Sequence, residues 1–185
     1  MDVTRMLEAD HRMVEGLFAK IEATEGEERA ALVTELASAL HDHMELEERI
    51  LYPAMIPVVG KETVQEGVTE HELARRTLED MVALSPDEPG FGGALEAVKA
   101  GIEHHVDEEE HEVFPKLRTE GAGVLEQIAE PFKAKRASLD MKVNVGALTE
   151  GATKDQLLEE AKGLDIAGAS SMNKDELAEA LAASG

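Results

Sequence analysis

Two stretches of the sequence repeat one pattern of residues able to bind a metal. His43-Met44-Glu45-Leu46-Glu47-Glu48-Arg49-Ile50-Leu51-Tyr52-Pro53 matches His105-Val106-Asp107-Glu108-Glu109-Glu110-His111-Glu112-Val113-Phe114-Pro115 at the histidine, two glutamates, an aromatic and the proline. In each copy the histidine and the first of these glutamates stand four residues apart. On a helix that spacing puts them on one face, a turn apart, where one ion can touch both. Each copy also holds a competing pair, His41 with Glu45 and His104 with Glu108. Hydrophobic phase separates them: Leu36, Leu40, His43, Glu47 and Ile50 continue one stripe, and Val98, Ile102, His105, Glu109 and Val113 another. His11 extends the stripe of Leu7, Val14 and Phe18, and His71 lies between Val68 and Leu78 on a further one.

Two carboxylates in an apolar core take up protons or disrupt the site unless a cation compensates them. His11, His43, Glu47, His71, His105 and Glu109 are therefore the candidate metal ligands, and a pair of ions is the expected compensation. The chain has no cysteine, which excludes disulfides, thiolate zinc sites, iron–sulfur clusters and thiol nucleophiles. Nitrogen and carboxylate oxygen suit iron, manganese or zinc over calcium or magnesium, and iron is the first choice. His41, His104 and His111 are assigned to exposed or supporting positions, and Glu48 and Glu110 to support of the ligands or to solubility.

The elements that must carry these residues are helices. The composition is rich in Ala, Leu, Glu, Lys and Met and poor in aromatics, which favours an all-α fold. Periodicity predicts helices from about Val3 to Glu22, Glu27 to Leu51, Lys61 to Leu84 and Phe91 to Phe114. Pro53 with Pro57 ends the second, Pro115 the fourth, and Ser85-Pro86-Asp87-Glu88-Pro89-Gly90 forms the turn after the third. Four long helices with short connections pack as an up-down antiparallel four-helix bundle. A fifth helix, about Val124 to Leu139, packs outside the bundle or extends it. The expected organisation is a bundle domain over 1–140, a linker over 141–152 and a small helix-loop-helix appendage over 153–185, with helices Gln156 to Lys162 and Lys174 to Leu181.

A formal net charge of −22 opposes binding to nucleic acid or an anionic membrane. The N-terminus lacks a basic stretch followed by an apolar run, and no window nears the ~20 apolar residues of a membrane span, so a soluble cytoplasmic protein is expected.

Taken together, Asp10-His11, His43-x-x-x-Glu47-Glu48 through Pro53, Glu70-His71-Glu72-Leu73 and His105-x-x-x-Glu109-Glu110 through Pro115 resemble the motifs of the hemerythrin-like, or HHE cation-binding, family over about Met1 to Arg136. The resemblance implies a non-haem diiron centre with an oxo or hydroxo bridge. It makes His11, His43, His71 and His105 terminal ligands, and Glu47 and Glu109 bridging carboxylates. Oxygen-carrying members have a second histidine on the third helix, where this chain has Arg75. They also tend to have an Asp five residues after the last-helix histidine, where this chain has Glu110. Both departures argue against oxygen carriage. Of the roughly twelve positions around two octahedral irons, these residues and the shared oxygen leave about two open. Open positions favour redox chemistry with dioxygen, peroxide or nitric oxide. The expected function is binding or reduction of such species in an oxidative-stress role, with catalase- or peroxidase-like turnover left open; the alternative is a non-catalytic iron sensor or buffer acting through a protein partner. Arg75 is expected to pair with a glutamate ahead of stabilising peroxide, and Tyr52 to be an aromatic plug ahead of a radical site or ligand partner.

The tail, Thr153 through Leu177, looks like the Rho N-terminal and SAP-like helix-loop-helix modules, some of which bind nucleic acid. Here it is acidic and lacks arginine and aromatics, so a packing or protein-interaction role is expected over nucleic-acid binding.

Overall fold

A computed structural model describes residues 2–139, 141, 153–163 and 166–182. Helix α1 (Val3–Ala23) starts at Asp2, whose carboxylate accepts from the Thr4 backbone N–H at 3.0 Å and from its hydroxyl at 2.9 Å. Helix α2 (Gly26–Leu46) follows after a two-residue link and packs along α1. Helices α4 (Lys61–Val82) and α5 (Phe91–Glu108) form the second hairpin, joined across the Pro86 turn. All-α bundle architecture follows, with no strand among the described residues.

The prolines do not end their helices. After α2 the chain makes one wide π-helical turn, Glu47–Leu51, in which the Tyr52 N–H reaches the Glu47 carbonyl, and then continues as α3 (Tyr52–Val59) with Pro57 inside it. The second copy does the same: Glu109–Val113 is a π turn and α6 (Phe114–Glu120) follows. Pro53 and Pro115 fall in the first turn of the new helical segments, directly after the wide turns. The wide turn also relieves the proline ring's clash with the carbonyl four residues back. It changes the inward face as well. Past Glu47 the stripe passes to Leu51 and Tyr52, both buried, and the expected Ile50 stays at the rim.

The core has two apolar clusters. Val14, Phe18, Leu36, Leu40, Met81 and Val98 belong to one, and Leu7, Leu46, Leu51, Phe114, Leu117 and Phe132 to the other. Every candidate ligand lies in the chain between a residue of the first cluster and a residue of the second: His11 between Leu7 and Val14, His43 between Leu40 and Leu46, His105 between Ile102 and Val113. The polar groups form a layer with apolar packing above and below. At about 1.5–3 kcal/mol for each fully buried large apolar side chain, those clusters supply the stability that a buried polar layer does not.

Helix α7 (Ala122–Ser138) packs on the outside of the second cluster through Leu125, Ile128 and Phe132. Beyond it, α8 (Lys154–Gly163), a 3₁₀ turn (Ala169–Ser171) and α9 (Lys174–Ala182) bury Leu157, Ala161, Ala169, Leu177 and Leu181 in a cluster of their own. Asn173 and Glu176 exchange side-chain to backbone hydrogen bonds of 2.7 and 3.0 Å, which start α9. The expected linker, apart from Met141, lies outside the described residues.

Candidate metal centre

The six candidate ligands converge. His11, His43, His71 and His105 are 2%, 5%, 1% and 4% exposed, and Glu47 and Glu109 are 0% and 3% exposed. His11 Nε2 lies 3.2 Å from His43 Nε2, and His71 Nε2 lies 3.0 Å from His105 Nε2. Glu109 faces both pairs, with Oε2 3.5 Å from His11 Nε2 and Oε1 3.7 Å from His105 Nε2. Glu47 Oε2 lies 3.3 Å from both His43 and His71 Nε2 and 4.0 Å from His105 Nε2.

The outward nitrogens explain why the inward ones matter. His11 Nδ1 donates to Glu110 Oε1 at 2.8 Å, His71 Nδ1 to Glu48 Oε1 at 2.9 Å and His105 Nδ1 to Glu70 Oε2 at 2.8 Å, while His43 Nδ1 faces Asp10 at 3.7 Å. A proton held on Nδ1 leaves the Nε2 lone pair pointing inward, the tautomer and orientation that metal-binding histidines require. Neutral imidazoles so arranged put two lone pairs against each other in each pair, which is repulsive without a cation between them. Two ligands at right angles around an ion at ~2.1 Å stand ~3.0 Å apart, close to the separations observed. Both oxygens of Glu47 and Oε2 of Glu109 are buried with no hydrogen-bond partner among the described residues. A fully buried carboxylate left unbonded is costly unless a cation takes it. The donor set therefore fits cations, and its division into two histidine pairs that share Glu47 and Glu109 fits two.

Three of the four supporting carboxylates, all but Glu70, pair with an arginine. Arg75 Nη2 donates to Glu48 at 2.8 Å, the pairing expected of Arg75. Arg12 pairs with Glu110, and Arg136 Nη2 donates to Asp10 at 2.6 Å. Glu48 and Glu110 touch the histidines, whereas His41, His104 and His111 are 63%, 66% and 73% exposed at the side chain. Tyr52 stacks on His71 with ring centroids 5.3 Å apart, as Phe114 stacks on His11 at 6.0 Å. Its hydroxyl adds what the plug reading lacked: it lies 3.3 Å from His71 Nε2 and 3.5 Å from Glu109 Oε1. Gly67 makes the room, since a Cβ there would stand 2.8 Å from the Tyr52 oxygen.

Protonation follows from this crowding. Burial pushes the His105 imidazolium down, but Glu109, Glu70 and Glu47 outweigh it and raise its pKa to about 9. His43 is likewise held well above its ordinary value, with burial opposed by Glu47 and Asp10. Burial pushes Glu47 up, yet the His43 and His71 rings bring it well below the usual carboxylate range. Burial and the surrounding carboxylates both raise the Tyr52 phenol, which stays protonated. Without metal, protons substitute for the missing positive charge.

The sequence pattern left Asp10, Glu70, Arg12 and Arg136 without roles. Asp10 and Glu70 had a signal, each standing immediately before a core histidine. Arg136 had none, because it meets Asp10 across 126 residues of chain.

An antiparallel helical bundle enclosing a nitrogen- and carboxylate-lined cavity defines a cation-binding protein of the bundle class. Residues 2–117 match the family described as Hemerythrin HHE cation binding domain, and the chain belongs to that family. It is similar in structure to a hemerythrin HHE cation binding domain-containing protein from Mycobacterium kansasii, with a TM-score of 0.63 and 25% identity over 80% of this chain and 98% of that one. It is also similar to a protein described as a DNA nickase from Nostoc sp. (strain PCC 7120), 26% identical over 153 residues, or 82% of this chain. The chain spans 44% of that relative's length.

Proposed function

We propose that the centre binds two iron ions, one between His11 and His43 and one between His71 and His105, with Glu47 and Glu109 shared, and that it binds or reduces dioxygen, peroxide or nitric oxide. The observation that supports this most directly is the convergence of four inward Nε2 atoms on two buried carboxylates, three of whose oxygens have no hydrogen-bond partner among the described residues. Bound iron supplies Lewis acidity and one-electron redox chemistry that no side chain here provides. The protein's own part is positioning. The supporting carboxylates fix the ring orientations, and the apolar layers on either side keep bulk water away from the donors. Tyr52 holds a proton on its hydroxyl within reach of Glu109, ready to donate to an oxygen or nitrogen species beside it.

The approach to the site supports a small ligand. A cavity of about 210 Å³ between α1 and α5 is lined by His11, Val14, Phe18, Ile102 and Val106, with Glu15, Lys99 and Glu103 also in its lining. Its apolar wall suits diatomic molecules and peroxide and disfavours large or anionic substrates.

We propose further that residues 1–140 form the metal domain and 153–185 a separate appendage of Rho N-terminal or SAP-like type that contacts a protein partner. Action in the cytoplasm is part of the same proposal. Among the described residues no helix is long and apolar enough to cross a membrane. The nicking of DNA named for the cyanobacterial relative is not carried over, because a net charge of −22 opposes binding to a duplex. Elemental analysis of freshly isolated protein, with an absorption spectrum seeking oxo-bridged ferric charge-transfer bands, tests the diiron centre. Peroxide turnover by the iron-loaded form, lost in His43→Ala and Glu109→Ala, tests the redox role. Two bound irons without turnover leave the sensor or buffer function in its place, and a protein that takes up no iron refutes both.

A further inference from the structure

The two halves of the centre correspond residue by residue: His43 with His105, Glu47 with Glu109, Glu48 with Glu110, Tyr52 with Phe114, and Asp10-His11 with Glu70-His71. They differ in one support. Glu70 accepts from His105 Nδ1 at 2.8 Å. Its counterpart Asp10 stands 3.7 Å from His43 Nδ1, which has no hydrogen-bond partner among the described residues.

Helix α7 accounts for the difference. Arg136 is 4% exposed, and its guanidinium grips both oxygens of the fully buried Asp10, Nη2 reaching Oδ1 at 2.6 Å and Nη1 reaching Oδ2. A bidentate arginine pair is strong and directional, and it holds the carboxylate on the α7 side. Glu70 instead faces the exposed His104 at 3.7 Å. The family match ends at residue 117, so this grip comes from outside the matched part of the chain.

We infer, on the reading that the centre holds two ions, that Arg136 makes the two metal positions unequal, leaving the His11–His43 position the weaker and the His71–His105 position the tighter. A carboxylate that accepts from Nδ1 raises the basicity of Nε2 and so strengthens its metal bond. His105 has that hydrogen bond at 2.8 Å, whereas Asp10 meets His43 only at 3.7 Å. Arg136 is thus a positioning residue that acts through Asp10, and it sets the order in which the positions fill.

The test is a titration of the full-length protein with Co²⁺ against a metallochromic chelator. Wild type is expected to bind two ions with constants about tenfold or more apart, with His105→Ala removing the tight step and His43→Ala the weak one. Arg136→Leu frees Asp10 for His43, so the weak step tightens by about tenfold and the gap narrows; Arg136→Lys, which keeps an ion pair with Asp10, stays near wild type. A purely structural role for Arg136 lowers the melting temperature and leaves the ratio of the two steps alone. Since Arg136→Leu also loses stability, the corresponding carboxylates give an independent measure: Glu70→Gln weakens the tight step by about 10–100-fold, whereas Asp10→Asn moves the weak step by less than about threefold. Equal constants in wild type, the tight step assigned to His43, equal effects of the two carboxylate variants, or a weak step that does not tighten in Arg136→Leu overturns the inference. Absence of any bound cobalt overturns the two-ion reading beneath it.

Discussion

Stripping the metal should make the protein's stability fall as the solution becomes more alkaline, opposite to the trend of the loaded form. In the metal-free bundle His105 has a pKa of about 9 against an ordinary value of 6.5, because the neighbouring carboxylates outweigh burial. A group whose folded pKa is raised contributes stability that is complete below the unfolded value and is lost as pH climbs through the folded value. The window for this loss therefore runs from about 6.5 to about 9. A rise of that size corresponds to about 3 kcal/mol. For a chain of this length that is about 6–12 °C in melting temperature. His11 and His43 are shifted in the same direction and add to the loss. At the acid end the sign reverses, since Glu47 is held below its ordinary 4.5 and its contribution disappears as pH falls through its folded value. Metal-free protein should thus be most stable between about 4.5 and 6.5. Loaded protein should behave differently, because the ion needs deprotonated histidines and is held more tightly as protons leave. Thermal melts in chelator and in excess metal, at half-unit intervals from pH 5 to pH 10, make the comparison. A metal-free melting temperature that is flat or rising between pH 6.5 and pH 9 would refute the claim that protons stand in for the cations.

Glu47→Gln removes a carboxylate that lies within 4.0 Å of the inward nitrogens of three histidines, and metal content by elemental analysis should drop below half of wild type; full occupancy in this variant would contradict the sharing of Glu47. Gly67→Ala forces a methyl group to within 2.8 Å of the Tyr52 oxygen, an overpacking expected to lower stability by about 1–3 kcal/mol. Part of that loss should return in the Gly67→Ala/Tyr52→Phe double variant, by chemical denaturation. Arg75→Ala breaks a pair whose members are each about a third exposed, so it should change stability by less than about 1 kcal/mol and leave metal content unaltered; a large loss of metal would give Arg75 a role that its position does not suggest.

Much of the site was legible in the chain because helical periodicity is a local property. His43 and Glu47, or His105 and Glu109, share a face by spacing alone, and the apolar residues around them say which face is buried. The repeat of the motif and the absence of cysteine then limit the donors to imidazole and carboxylate. What periodicity could not give was any departure from the regular helix. The π turns at Glu47–Leu51 and Glu109–Val113 carry the helices past Pro53 and Pro115 and replace Ile50 by Leu51 on the inner face, and a wide turn has no spacing signature of its own.

Contacts between distant segments were the other missing part. Which carboxylate holds which imidazole depends on how neighbouring helices are staggered: His71 takes Glu48 from another helical segment, and His105 takes Glu70 from α4. Arg136 reaches Asp10 only because α7 folds back across the bundle. The sequence by itself determined the helices, their buried faces and the kinds of donor atom, since these follow from interactions a few residues apart. Only the tertiary structure decided the pairing of those donors with their supports and the inequality of the two halves, because distances between segments are set by packing of the whole core.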